Sequence, residues 1–184
     1  MTTNSSILHL TPETEDSQRT LQLISLLLQY PSEEWLGADD VREEVNGLVN
    51  KDIRQLLNGF VDYLEAHSLE ELTINYVETF DFNAKTNLYL TYLAAGEERE
   101  RGQILISLKE IYAEAGFDMT TSELSDYVPL FLEFISIAPL EMARDMLQDF
   151  TGPLDILQSE LETAKSPYSK VMQACLIAID QMIK

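Results

Sequence analysis

Covalent catalysis needs a nucleophile beside a base, and metal chemistry needs clustered ligands, yet this chain is poor in both. It has only two histidines, His9 and His67, far apart in the sequence. Its one cysteine, Cys175, falls inside an apolar helical pattern and reads as a small buried hydrophobe, not a thiolate. Neither GxxxxGK[ST] nor a GxGxxG following a strand occurs, so the common phosphate cradles are missing. With 32 carboxylates, acid pairs are so frequent that none is singled out for proton transfer. No catalytic, metal-binding or cofactor-binding set emerges.

Binding chemistry is better represented. Between Tyr76 and Phe134 the chain concentrates aromatic side chains beside charged ones. Tyr76, Phe80 and Asp81 come first, then Tyr89 and Tyr92, then Arg99 and Arg101 in a charge-dense connector between Gly96 and Gly102, and last Asp126, Tyr127, Pro129, Glu133 and Phe134. Asp126, Pro129 and Glu133 stand at i, i+3 and i+7, a polar line beside the apolar stripe of Tyr127, Leu130, Phe131 and Phe134. A polar line beside an aromatic one is the geometry of a groove rim. The same aromatics also suit a core. Arg99 and Arg101 could equally pair with Glu97 or Glu98 to fix the connector, and Asp126 and Glu133 could cap or brace a helix.

The elements that position these residues are helical. Apolar spacings of three and four recur along the chain, and no period-two alternation competes over a comparable length. The expected order begins with a mobile polar tail over 1–16, followed by a helix from about Ser17 to Tyr30 that is apolar almost all round and ends before Pro31. A short element carries Trp35, read as a packing residue. Two helices follow between Asp40 and Ala66. Ser68 with Glu71 forms a capping box for a helix bearing Leu69, Leu72, Tyr76 and Phe80. A short helix is expected over Thr86 to Ala94, and another from Glu98 to Ala115 closed by Gly116 in a left-handed C′ position. Ser125 is expected to cap a helix reaching Ile137. Pro139 opens the next helix, Thr151-Gly152-Pro153 breaks it from a further one, and Ser166-Pro167 begins the last. This predicts an all-α fold of about eight or nine helices in a single domain over 17–184, after the tail.

The formal charge is −20, and Met1 to Asp81 alone holds 4 basic and 16 acidic residues, net −12. Phosphate backbones would be repelled, so nucleic acid is excluded as a partner, whereas a cationic segment would be attracted. Such a surplus also simply confers solubility. A lone cysteine, the absence of a secretory signal pattern and of any membrane-length apolar run together predict a cytoplasmic protein without membrane insertion. The expected state is a monomer.

The segments YVETFDF, TNLYLTYLAAGEERERG and ELSDYVPLFLEF, in this order, resemble the signature of the NarJ family, assembly chaperones of respiratory nitrate reductase within the wider TorD and DmsD group. LLQYPSEEW, near the first helix, extends the resemblance. It implies a single all-helical domain, not itself an enzyme, that binds the apo catalytic subunit of nitrate reductase, chiefly at its N-terminal segment. Family members hold that subunit ready for molybdenum-cofactor insertion and complex assembly before membrane attachment. The resemblance places Asp126, Tyr127, Pro129, Glu133 and Phe134 on the family's E-L-P-D-Y-L-P…L-E-F motif, which is associated with partner binding. Ser125 stands where that motif has its first proline. Two other classes stay open from residues alone: a stable structural subunit of an oxidoreductase complex, and a protein handling a nucleotide or the pterin cofactor.

Overall fold

The computed structural model describes residues 11–36, 40–94, 98–120 and 122–184, apart from the side chains of Trp35, Asp40, Leu93, Ala94, Glu98 and Arg99. Among these residues the fold is all-α, with no named strand. The proposed packing role of Trp35, residues Gly96 and Glu97 of the connector, and the first ten residues of the expected tail all lie outside them.

Helix α1 (Pro12–Leu27) starts earlier than the sequence predicts. Thr11 caps it, its hydroxyl accepting from the Thr14 amide at 3.2 Å, and Pro12 occupies the first turn, where its missing N–H costs nothing. Residues 12–16 are therefore helix, not tail. The reason lies in tertiary contacts that composition does not reveal: the buried Asp16 carboxylate accepts the Val49 and Asn50 amides at 2.8 and 3.1 Å, and Ser17 Oγ donates to Gln181 at 3.2 Å.

Two short helices, α2 (Glu33–Leu36) and α3 (Asp40–Asn46), lead to α4 (Lys51–Glu65), which is capped by the Asn50 side chain. The capping box of α5 (Leu69–Tyr76) is present, Ser68 and Glu71 satisfying each other's amides. From Val77 to Asp81 the helix widens into a π-turn, with the Phe82 amide reaching back to the Val77 carbonyl at 3.0 Å. Helix α6 is shorter than expected, Leu90–Ala94. Thr86 to Tyr89 instead form a turn and an extended segment, because Leu88 and Leu90 bond to a second loop and not to their own helix.

Helix α7 (Glu98–Glu114) ends as the glycine predicts: Gly116 has φ +75°, its amide meets the Ala113 carbonyl, and Phe117 N–H meets Tyr112 O at 2.8 Å. The Tyr112 and Phe117 rings, 5.7 Å apart, complete this Schellman motif. Helix α8 (Val128–Ile137) begins three residues after Ser125, with Tyr127 at its N-cap position. Ser125 is no cap: it is buried and donates to the Leu105 carbonyl at 2.7 Å.

The expected break at Thr151-Gly152-Pro153 does not occur, and α9 runs unbroken over Leu140–Thr163 with Pro153 inside it. The apolar stripe explains why. Ala143, Leu147, Leu154, Leu157 and Leu161 keep helical spacing straight through the glycine and proline, and all are fully buried. Burying that stripe outweighs the roughly 3 kcal/mol that an interior proline costs. Helix α10 (Tyr168–Ile183) closes the chain.

Helix α1 packs on α8 and α10, and α10 also packs on α4 and α9. The shared core contains Leu21, Ile24 and Leu27 of α1, Phe131 and Ile135 of α8, and Met172, Cys175 and Ile179 of α10. Cys175 is fully buried, and burial pushes its thiol pKa well up, as suits a packing residue. No described helix is long and apolar enough to cross a membrane.

Continuity of α9 predicts slow hydrogen exchange at the Asp155 and Ile156 amides, whose helical partners lie before Pro153. In a new helix beginning at this position those amides would be free and exchange fast.

Candidate functional site

The segments before α6 and before α8 meet as a short antiparallel bridge between Tyr89 and Tyr127. Leu90 N–H donates to Asp126 O at 3.0 Å, and Val128 N–H to Leu88 O at 2.8 Å. Directly opposed residues in such a pair project to the same side, and the Tyr89 and Tyr127 rings lie 5.6 Å apart. Helix α7 clamps the second segment, with Tyr112 Oη donating to the Ser125 carbonyl at 2.8 Å and Leu105 O accepting from Ser125 Oγ.

Two adjoining concavities flank this pair. One, about 220 Å³, is walled by Tyr30, Tyr76, Phe80, Leu88, Tyr89 and Tyr127, with the carboxylates of Asp81 and Glu123. The other, about 490 Å³, is walled by Gln29, Tyr30, Phe117, Tyr127, Pro129 and Leu130, with Asp118, Thr120 and Glu133. Tyr30 and Tyr127 belong to both, so the two form one groove with an aromatic waist and acids at either end. Its floor is rigid: Tyr76 and Phe80 are 4 % and 3 % exposed, and Tyr76 Oη donates to the Leu28 carbonyl at 3.0 Å and lies 3.2 Å from Tyr127 Oη. The Tyr30 ring meets Tyr76 edge-on at 5.4 Å. Tyr89 Oη donates to Glu123 at 2.7 Å.

Burial fixes the protonation of these hydroxyls. Desolvation pushes the pKa values of Tyr76, Tyr112, Tyr127 and Tyr168 above the ordinary phenol value, and that of Tyr89 rises first through burial and then through the Glu123 carboxylate. All stay neutral donors at physiological pH.

The sequence-predicted residues therefore divide. Tyr76, Phe80, Asp81, Tyr89, Tyr127, Pro129 and Glu133 line the groove. Phe134 lies beneath it in the core, its ring 4.6 Å from Tyr112 and 5.5 Å from Phe117. Asp126 does not continue the Pro129 and Glu133 line. It precedes α8, is fully buried, and accepts the Thr91 amide and hydroxyl. Tyr92 is exposed, with the Arg101 guanidinium 5.8 Å over its ring, and Arg101 Nε donates to Thr91 Oγ1 at 3.1 Å. The side chain of Arg99 lies outside the described residues. Sequence reasoning missed Tyr30, Asp118 and Glu123. Tyr30 stands in the LLQYPSEEW segment that carried part of the resemblance, a usable signal; the two loop acids have no periodicity to betray them.

The nitrate reductase delta subunit family model matches residues 46–173. The probable nitrate reductase molybdenum cofactor assembly chaperone NarJ of Bacillus subtilis (strain 168) is 39% identical over 170 residues, 92% of each chain. The nitrate reductase molybdenum cofactor assembly chaperone NarJ of Escherichia coli (strain K12) is 29% identical over 85% of this chain and 67% of its own length. In fold, a crystal structure from Archaeoglobus fulgidus, described as a candidate redox enzyme maturation protein, superposes with a TM-score of 0.66 at 21% identity, covering 95% of this chain and 99% of that one.

The buried hydroxyls predict a specific alkaline behaviour. Because the folded pKa values lie above the unfolded value of about 10, stability is full below that pH and falls as pH rises beyond it. Full tyrosinate absorbance, which requires the buried hydroxyls to ionise, is expected only together with loss of helical circular dichroism; full ionisation with helices intact would contradict this. Tyr76→Phe is expected to cost about 1–2 kcal/mol in urea unfolding by stranding the Leu28 carbonyl.

Proposed function

Since the chain belongs to the nitrate reductase delta subunit family, we propose that it is a dedicated assembly chaperone, not itself an enzyme, which binds the apo catalytic subunit of a nitrate reductase. It holds that subunit's N-terminal segment in the cytoplasm, keeps the subunit open to molybdenum-cofactor insertion, and leaves before membrane attachment. The observation that carries this reading is the match to the Bacillus subtilis chaperone over 92% of both chains.

The groove is the proposed seat of the segment. Its aromatic walls offer apolar contact to one face of a short helix or extended peptide, the source of most affinity in such grooves. Its acids, Asp81 and Glu123 at one end and Asp118 and Glu133 at the other, favour a segment with basic side chains. The net charge of −20 speeds encounter with a cationic partner over a range that salt shortens. A binding protein needs no nucleophile or metal, which accords with a sequence lacking a catalytic constellation.

Calorimetry with a synthetic peptide copying the first twenty or so residues of the reductase catalytic subunit tests the reading. Binding is expected at low salt and at about 0.5 M salt, weaker at the latter because rim charges are screened. Asp118→Asn combined with Glu133→Gln is expected to weaken low-salt binding roughly 3- to 10-fold and high-salt binding less. Absence of binding at both salts, with normal reductase maturation in a strain lacking this chain, rejects the proposal.

A further inference from the structure

We propose that Thr91 and Arg101 are positioning residues for the groove, acting through Asp126 to set the Tyr89–Tyr127 wall, although neither touches the groove's lining. The proposal rests on the groove being the peptide site. It starts from the burial of Asp126, whose side chain is fully enclosed. A buried carboxylate demands donors. Oδ2 accepts both the amide of Thr91, at 3.1 Å, and its hydroxyl, whereas Oδ1 has no hydrogen-bond partner among the described residues. Thr91 thus supplies every described hydrogen bond to this side chain.

The direction of those bonds is fixed by proton count. Thr91 Oγ1 has one hydrogen, which goes to Asp126, so it meets Arg101 Nε through a lone pair, at 3.1 Å. The sequence Arg101 to Thr91 to Asp126 places a cation one hydroxyl away from the buried anion. Arg101, within the charge-dense stretch between Gly96 and Gly102, belongs to the first turns of α7 and is itself held over the Tyr92 ring.

The chain of contacts ends at the wall. Asp126 is tied at both ends to consecutive residues of α6: its backbone carbonyl accepts Leu90 N–H, and its carboxylate accepts Thr91. The residues immediately before Leu90 and after Asp126 are Tyr89 and Tyr127, whose rings lie 5.6 Å apart on the same side of the bridge and form one wall of the groove. Loosening Asp126 therefore frees the register of both rings at once. A hydroxyl at position 91 is the irreplaceable part, since valine there keeps the shape and loses both the donor to Asp126 and the acceptor for Arg101.

The test compares Thr91→Val, Thr91→Ser and, as a core control on α4, Ile53→Ala in the full chain. Peptide affinity is measured by the calorimetry above, amide exchange by mass spectrometry or NMR, and folding by urea unfolding. Thr91→Val is expected to weaken the peptide about 10-fold or more and to speed exchange at the Leu90 and Val128 amides by a similar factor, and Thr91→Ser to restore both. Arg101→Leu is expected to act in the same direction, about 3-fold. Ile53→Ala should lower the urea midpoint and leave peptide affinity unchanged. The proposal is overturned if Thr91→Val behaves like that control, or if serine does not rescue it. Uptake of no peptide by the unmodified chain removes the premise and the proposal together, an outcome distinct from equal binding by the unmodified and Thr91→Val proteins.

Discussion

A helix that is apolar on all sides survives in water only when other helices enclose it, and α8, VPLFLEFISI, is such a helix. Eight of its ten residues are buried. Enclosing it is the task that arranges the rest: α1 lies along it, α10 lies behind α1, and α4 and α9 pack on α10. The groove is where the enclosure stops short. Pro129 and Leu130 of α8 meet the solvent-facing cavity there, and Glu133, on the same helix, stands exposed at its edge. The groove is thus the unfinished side of the core, floored by side chains that the core already encloses. Pre-ordered walls cost little entropy when a partner settles on them.

Thirty-two acids make a single electrostatic statement only at a distance. Close up they do different things. Asp16 and Asp126 are buried and act as braces, each accepting backbone amides from a segment remote in sequence. Glu71 completes a capping box. Glu44, Asp62 and Glu65 pair with Arg19 and Arg42 on the surface, where such pairs contribute little to stability. Asp81, Asp118, Glu123 and Glu133 line the groove. At a distance only the sum of these charges acts, whereas within the groove these four acids stand beside the aromatic walls.

Helix content and most of the core were legible because both follow from short-range spacing: the Ser68 capping box and the Gly116 terminus both stand where the pattern puts them. Errors gathered where long-range contact overrides local chemistry. Pro153 failed as a breaker because burial of α9 exceeds its cost. Ser125 failed as a cap because Leu105 and Tyr112 of α7 claim it. Asp126 was read as part of a helical line, yet its partner is Thr91, thirty-five positions away. No spacing rule reports a hydrogen bond between a loop and a helix remote in sequence, so the aromatic composition of the groove was readable and its acid rim was only half so.

The π-turn at Val77–Asp81 carries a meaning for how such chains diverge. A π-turn accommodates one residue more than an α-helix of the same rise, which amounts to a single-residue insertion absorbed without breaking the helix. Each residue of helix turns the chain by about 100°, so one residue gained or lost here turns whatever follows it; as the chain stands, Phe80 is buried and Phe82 is 84 % exposed. Lineages that gained or lost one codon here would rotate Asp81 into or out of the groove while keeping every core contact upstream. Length variation between Tyr76 and Phe82 is thereby a means of changing what the groove displays without touching the scaffold that holds it.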